Sequence, residues 1–429
     1  MIANPSQPLP RFFRVRQRFE SHRLDDVATA VSEALATSDL SSTIFPGQRV
    51  AIAVGSRGIA NLVMIVKQVV DEVTVMGGVP VIVPAMGSHG GATAEGQTKV
   101  LDSLGVSAAA MGCEIGASMD TVVVGKTGDG IEVHFDAIAS TADHVLLINR
   151  VKPHTRLVGE FESGLVKMLL IGLGKHRGAA LYHQVFAKYD YRLDRIAPEI
   201  VSMILAKLPV RLGLAIVEDA FDETSSVHAV AAERFLADEP PLLQAAKNRM
   251  PRLPFDHADL LIVDQIGKEI SGTGMDTNLI GRKFNDKLAA PDEFPKIRQI
   301  YVRALTDQTA GNASGIGIAE YCRSRVVQQM NVDATRINCL TSGHPTAGAI
   351  PIHLPTDHEV LSVATTQSGR LSVQDLQWLW IRDTLRVSEL ACSEAYWDQA
   401  SGDDRLEILC EPSELSFDAD GNLSTCESI

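Results

Sequence analysis

Apolar and polar positions in this chain come in blocks, and the blocks follow a strand-then-helix order. Arg49–Val54 (RVAIAV) is a short, nearly unbroken apolar run, the pattern of a strand buried on both faces. Residues 60–77 then take helical spacing, and Val79–Val83 is apolar again. Upstream, Val27, Ala30, Val31 and Ala34 predict a helix over Asp25–Ala36, preceded by an extended lead-in rich in Pro and Arg at residues 1–22. Downstream, Asp143–Ile148 and Leu212–Val217 predict two further strands with a helix over Ala197–Leu208 between them. Val122–Val124 and Glu132–Phe135 predict a small hairpin. This βαβ rhythm predicts a parallel sheet covered by helices.

A second set of blocks opens at Leu260–Val263, with Ile300–Ala304 and Glu359–Ala364 as strands, Gly315–Met330 as helix and Thr341–Ile350 as a loop holding His344. Between the two sets, Pro240, Pro241, Pro251 and Pro254 punctuate the chain around a helical piece at Leu242–Asn248. At 429 residues the chain is too long for one ordinary core. The expectation is an α/β protein of two α/β domains, residues 1–250 and 251–429, with mainly parallel sheets and the active site in the cleft between them. The polar glycine loop Ser271–Arg282 (SGTGMDTNLIGR) could close over that cleft, and the last dozen residues, rich in Asp and Ser, are expected to fray.

Composition narrows the function classes. Hydrophobic residues make up 45%, enough for such cores, and the formal charge of −14 argues against a general nucleic-acid or membrane-surface role, which needs a basic face. The six cysteines show no CxxC pair, so neither a disulfide framework nor a zinc ribbon is expected. Neither a signal-peptide core nor a membrane-length apolar run occurs in the sequence. A reduced, cytoplasmic protein, monomeric or a homodimer, is the expectation.

The residues that carry chemistry concentrate in Asn149–Tyr189. The strand ending at Ile148 delivers Lys152, Pro153, His154, Thr155 and Arg156 at its carboxyl end, where α/β folds place ligands. A glycine-studded segment then carries Ser163, Gly164 and Lys167. Lys175, His176 and Arg177 follow as a local basic cluster, and a predicted helix holds His183. A second glycine turn, Pro84–Thr93 (PAMGSHGGAT), lies between a strand and a helix start, the geometry that presents backbone N–H groups to an anion, with Ser88, His89 and Thr93 facing whatever binds.

Histidine can be a metal ligand or a proton shuttle near neutral pH, and a pair flanking one carbon suits racemisation. Taken singly, His89, His154 and His183 each read equally as polar loop residues or satisfied interior histidines. Without HxxxH or CxxC spacing, a metal held mainly by a bound cofactor fits better than an all-protein shell. Lys167 sits in GLVKMLLIGLG, where desolvation would lower its pKa and make it a nucleophile or a phosphate partner, the plain alternative being a surface lysine. Arg57 and Lys268 both follow strands, as exposed charges or as partners of a carboxylate or phosphate.

These residues resemble the nickel-dependent lactate racemase family, whose members use a nickel-pincer nucleotide. The resemblance rests on the glycine turn with His89, the Pro153-His154 pair, F-x-S-G-x-x-K at Phe161–Lys167, and His183 placed 183 − 167 = 16 residues past the lysine. It implies that His89 and His154 are the acid/base pair and that Lys167 is attached to, or contacts, the cofactor, with Arg57, Ser88, Ser163 and Gly164 beside it. It also implies that His183 ligates nickel and that Lys268 and Arg57 hold the substrate carboxylate. The implied reaction is racemisation or epimerisation of a small 2-hydroxy acid. One histidine removes the hydroxyl proton as the α-hydrogen leaves as hydride to the cofactor, and return to the opposite face gives the other configuration. GEFESGLVK is longer than the family's Gly-aromatic-Ser-Gly-Gly turn, Val54-Gly55-Ser56-Arg57 lacks its aspartate, and SGTGMDTNLIGR is unlike lactate racemase itself, so a substrate other than lactate is expected. A non-catalytic binding protein for an acidic or phosphorylated ligand and a zinc-dependent hydrolase stay open as alternatives.

Overall fold

Strand β1 (Phe12–Gln17) makes the first departure from the expected order. In this computed structural model, which describes residues 7–429 apart from the side chain of His183, β1 pairs antiparallel with strands from the far end of the chain. Contacts divide the chain into two units, Ser21–Met250 and Pro251–Ile429, and the residues up to Glu20 fall with the latter, not with the N-terminal domain expected over 1–250. Consecutive buried aromatics explain the attachment: Phe12 meets Trp378 and Trp380 while Phe13 meets Trp397. The lead-in is therefore an interior strand of a sheet built by the second half of the sequence.

The unit Ser21–Met250 contains β2 (Arg49–Val54), β3 (Val79–Pro84), β4 (Glu114–Ile115), the hairpin β5 (Thr121–Lys126) and β6 (Glu132–Asp136), β7 (His144–Arg150), β8 (Val210–Glu218) and β9 (Thr224–Ala231). Six of them form one sheet in the order β4-β3-β2-β7-β8-β9, parallel except for β9, and β5 and β6 pair separately. Side-chain alternation splits the strands between two cores. Ile52, Val54, Leu146 and Ile148 face the helices Val27–Ala36 and Leu62–Val75, while Ala51, Ala53, Val145 and Leu147 share a core with Leu165, Leu169 and Ile200. From β2 the chain steps outward to β3 and β4, then returns to β7 on the other side. That reversal between β2 and β7 is a topological switch point, where ligands bind at the carboxyl ends of strands.

The second unit contains β10 (His257–Val263), β11 (Lys296–Val302), β12 (Tyr321–Arg323), β13 (Ile352–Leu354), β14 (Trp378–Ile381), β15 (Glu389–Ser393) and β16 (Leu406–Ile408). With β1 they form an eight-stranded sheet in the order β13-β12-β11-β10-β14-β15-β1-β16, parallel from β13 through β14 and antiparallel beyond. The protein is thus α/β, with two mainly parallel mixed sheets. Among the described residues no helix is long and apolar enough to cross a membrane.

Four local expectations are corrected. Glu359–Ala364 is not a strand but the middle of a helix, Asp357–Gln367, which starts from a capping box between Thr356 and Glu359. Gly315–Met330 is not one helix: a short turn at Ile316–Ile318 leads into β12 and then the helix Ser324–Gln329. Pro240 and Pro241 lie inside the helix Phe235–Arg249. The acidic tail is anchored, with Leu423 and Cys426 buried.

That anchor is a buried charge network at the carboxyl ends of β10 and β11. The Arg303 guanidinium donates to Asp264, to both oxygens of Asp357, and to the backbone carbonyls of Leu423 and Ser424. Tyr301 donates to Asp357 as well, and the Leu423 N–H reaches the same carboxylate at 2.8 Å. Burial pushes the Asp357 carboxyl up, but Arg303 and Tyr301 outweigh it and hold it below its ordinary value. Asp357 therefore stabilises the fold above the unfolded carboxylate pKa of about 4, and that contribution is lost as pH falls through the lower folded value. Asp357→Asn should cost about 3–5 kcal/mol, since it leaves Arg303 buried against half its counter-charge. Urea denaturation of the variant at neutral pH checks this, and a midpoint equal to wild type would refute it.

Candidate functional site

Three loops leave the carboxyl ends of β2, β3 and β7. After β2 comes Gly55-Ser56-Arg57, after β3 the turn with Ser88 and His89, and after β7 the segment Lys152–Arg156. Ser56 Oγ meets His89 Nδ1 at 2.5 Å, which joins the first two loops. Arg57 is solvent-accessible along its side chain, yet burial of the guanidinium and the like charge of Arg150 depress its pKa. Arg150 at the end of β7 ion-pairs with Glu218, whose other oxygen accepts the Ala60 N–H at 2.8 Å. The β2 and β7 loops are thereby tied through one carboxylate.

The lysine segment is fastened to the same mouth. Lys152 and Ser163 exchange backbone hydrogen bonds at 2.9 and 3.2 Å, and Asn149 Nδ2 donates to the Gly164 carbonyl at 2.7 Å. Leu165–Lys167 is a single helical turn that widens into a π turn at Met168–Gly172. From the other side the helix Phe235–Arg249 contributes two charged groups. Glu239 Oε2 accepts the Val166 N–H at 2.8 Å, a carboxylate cap on the exposed start of the lysine-bearing turn. Burial pushes the fully buried Glu239 carboxyl up to about 7 against the opposing pull of the Val166 and Leu165 N–H groups. Lys247 ion-pairs at 2.7 Å with buried Glu162, whose second oxygen accepts the His154 N–H at 2.7 Å.

Lys167 is the outcome of this arrangement. Its amine makes no hydrogen bond or ion pair among the described residues. Burial first, and Arg57 second, bring its pKa down to about 7, with Glu162 the one carboxylate pulling it back. At neutral pH a large fraction is the free amine, able to attack an electrophile or to take up charge beside an anion.

The two histidines differ. His154 Nδ1 accepts the backbone N–H groups of Arg156 and Leu157, each at 3.0 Å, so the neutral ring carries its proton on Nε2. His89 Nδ1 faces a serine hydroxyl, which can donate or accept, so this ring can gain or lose a proton without losing the contact.

Other expected site residues fall as follows. Ser88 is half-buried in the β3 turn, and Ser163 contributes its backbone to the Lys152 bridge. Gly164 is required by packing, because a Cβ there would stand 2.3 Å from Glu239 Oε1. His183 lies in the helix Lys175–Val185, which also takes in His176, and its side chain is outside the described residues. Lys175, of the local basic cluster with His176 and Arg177, is fully buried. Lys268 lies in the other unit, where its ammonium donates to the Gly272 carbonyl at 2.6 Å and Asn338 Oδ1 at 3.2 Å, tying down the start of the 271–282 loop. Among the described residues, no three His, Cys, Asp or Glu side chains gather as a metal shell.

Sequence reasoning missed Ser56, Glu162, Glu239 and Lys247. Ser56 and Glu162 adjoin residues that were singled out, whereas Glu239 and Lys247 carried no signal beyond an acid and a base on a helix some 80 residues away, a separation of 247 − 167 = 80 for Lys247.

Residues 10–192 match the model of the lactate racemase N-terminal domain family. Over these residues the chain is similar to a lactate racemase N-terminal domain. The match runs from β1 through the helix that follows Lys167, so the matched region holds every expected site residue except Lys268. Among solved structures, the chain is similar to a Thermotoga maritima protein of known crystal structure, with TM-score 0.50 and 15% identity over 78% of this chain and 82% of that one. It is also similar to the lactate racemase apoprotein from Thermoanaerobacterium thermosaccharolyticum, with TM-score 0.50 and 12% identity over 86% of this chain and 88% of that one. At such identities these likenesses speak for the fold. No curated protein matches the chain by sequence.

The Lys167 amine should be acylated by an amine-selective reagent with a rate that climbs through about pH 7, while ordinary lysines respond only near 10.5. Residue-resolved mass spectrometry of labelled protein reads this directly. Because the folded value lies below 10.5, the unfolded chain holds this proton more tightly, and the resulting destabilisation fades as pH rises from about 7 towards 10.5. Glu162→Gln should move the labelling midpoint lower still, and a Lys167 midpoint in the ordinary lysine range would contradict the site's electrostatics.

Proposed function

We propose that this protein is a racemase or epimerase of a 2-hydroxy acid that works with a nickel-pincer nucleotide. The observation that carries the reading is Lys167, an amine of pKa about 7 with no hydrogen bond or ion pair among the described residues, held beside Arg57 at the switch point of a lactate racemase N-terminal domain. The residues suit an anionic nucleotide on chemical grounds. Positive charge exceeds what the local carboxylates neutralise: Glu218 is committed to Arg150, and Glu162 to Lys247 and the His154 N–H. Arg57 would hold a phosphate, Lys167 would contact the pincer ring or be joined to it, and His183 would supply the protein ligand to nickel.

When bound, such a cofactor supplies a hydride acceptor, which the reaction needs because an unactivated α C–H is too weakly acidic for histidine to deprotonate. The chain's own residues manage protons and position. His89, backed by the Ser56 hydroxyl, can take the substrate's hydroxyl proton at Nε2. His154, with its proton held on Nε2 by two backbone donors, is in the form that gives a hydrogen bond or a proton to an oxygen.

Protein made alongside cofactor-producing enzymes should carry stoichiometric nickel and cofactor sulfur, and should abolish the optical rotation of at least one member of a panel of 2-hydroxy acids and aldonates. An α-deuterated substrate should keep its label through racemisation. His89→Ala and His154→Ala should each cut turnover by roughly 100-fold or more while the far-ultraviolet spectrum is unchanged. Zinc in place of nickel would favour a hydrolase, absence of both metals would favour a binding protein, and full activity in either histidine variant would refute the two-histidine assignment.

A further inference from the structure

Lys175, read from the sequence as part of a local basic cluster, is a fully buried charge. Its side chain and that of its counter-ion Asp136 are both fully buried, with Nζ 2.9 Å from Asp136 Oδ2. The same ammonium donates to the Pro84 carbonyl at 2.6 Å and to Gln97 Oε1 at 3.2 Å. Gln97, also fully buried, spends its other end on the histidine turn: Nε2 donates to the carbonyls of Gly87 at 2.9 Å and His89 at 3.4 Å. Lys175 therefore reaches the end of β3, the end of β6 and, through one carboxamide, the backbone of His89.

Three features set this apart from an ordinary buried ion pair. An ammonium has no lone pair, so it accepts only one orientation of the Gln97 amide, with oxygen towards Lys175 and NH2 towards the turn. The orientation that supports His89 is thus imposed by the charge. Lys175 also takes φ +53°, a left-handed conformation that costs a lysine about 1–2 kcal/mol and persists only when its surroundings fix it. Finally, Lys175 is the first residue of the helix that carries His183, 183 − 175 = 8 positions further on.

We propose that Lys175, Asp136 and Gln97 form a positioning relay that sets His89 for proton transfer and registers its turn against the helix bearing His183. Lys175 fixes the carboxamide and holds the helix start, and the carboxamide fixes the His89 backbone. Ser56 then meets a ring whose place is already determined. The relay touches no reacting atom, so its effect is on geometry and not on the chemistry itself. The proposal rests on reading His89 as a proton-transfer residue.

Gln97→Glu is the decisive variant. It keeps an acceptor for Lys175 but turns a carboxylate oxygen on the Gly87 and His89 carbonyls, so the hold on the helix start survives while the hold on the histidine turn is lost. Two measurements are made on the full-length protein. The first is the imidazole NMR signal of His89 followed against pH, assigned by its loss in His89→Gln. The second is racemisation of the best 2-hydroxy acid found, resolved into kcat and KM.

The expected result is a displaced His89 signal and an altered titration in Gln97→Glu, a single cooperative thermal transition with its midpoint at or below wild type, and kcat lowered roughly 10- to 100-fold with KM little changed. Lys175→Met strands Asp136 and can fail to fold, so Lys175→Met with Asp136→Asn, whose Oδ1 can still accept the Ala139 N–H, serves as the charge-free replacement. It should recover the thermal midpoint while the His89 signal stays displaced. A wild-type His89 titration in Gln97→Glu, or in the folded double variant, would overturn the relay. Because the NMR measurement needs no turnover, it decides the relay even if no 2-hydroxy acid proves to be a substrate.

Discussion

Crowded positive charge with too few carboxylates to answer it is the constraint around which the Ser21–Met250 unit is arranged. Arg57, Arg150 and Lys167 interact electrostatically where β2 and β7 diverge. Each nearby carboxylate already has an occupation. Glu218 ties Arg150 to the Ala60 backbone, Glu162 holds Lys247 and the His154 N–H, and Glu239 caps the lysine turn. The remaining imbalance falls on the amine, which can shed its proton where a guanidinium cannot. Burial first, and this imbalance second, lower the lysine pKa, and the imbalance is what an anionic ligand would relieve.

The two sheets treat their switch points in opposite ways. In the second unit the reversal falls between β10 and β14, and there Asp264, Arg303, Asp357 and Trp380 satisfy one another. The chain's own tail closes that mouth, with the Cys426 N–H on Asp264 and two tail carbonyls on Arg303. In the first unit the equivalent place carries an amine with no hydrogen bond or ion pair among the described residues, a histidine whose Nδ1 meets a serine hydroxyl, and another with its tautomer fixed by backbone. A topology that favours ligand crevices does not by itself make one, and the balance of hydrogen-bond partners distinguishes the two ends.

Much of the first unit was legible because its signals are local. RVAIAV is β2 to the residue, the helices after β2 and β3 begin within a few positions of expectation, and the hairpin and β7 stand where apolar runs placed them. What the sequence hid depends on distant partners. FFRVRQ reads as a lead-in until strands nearly 380 residues later supply its neighbours, with Phe12 opposite Ser393. Pro240 and Pro241 read as a boundary because prolines usually end helices, yet Phe235–Arg249 continues through them past its first turn. The Thr356–Glu359 capping box was a local signal that an apolar run outweighed. Lys175 read as one of a local basic cluster with His176 and Arg177, and only the ends of β3 and β6 reveal that it is buried.

The glycine before the lysine shows why a motif and its cause can differ. Gly164 looks like a residue kept small for a cofactor, but the space a Cβ would take belongs to Glu239, which holds the Val166 N–H. Asn149 holds the Gly164 carbonyl from the opposite side. The backbone that presents Lys167 is therefore clamped between the mouth of β7 and the helix Phe235–Arg249. With both clamps in place, an anion arriving at this site meets a fixed main chain. The degrees of freedom left to respond are the lysine side chain and its proton, so binding is read out as a change in the amine's charge and not as a movement of the loop.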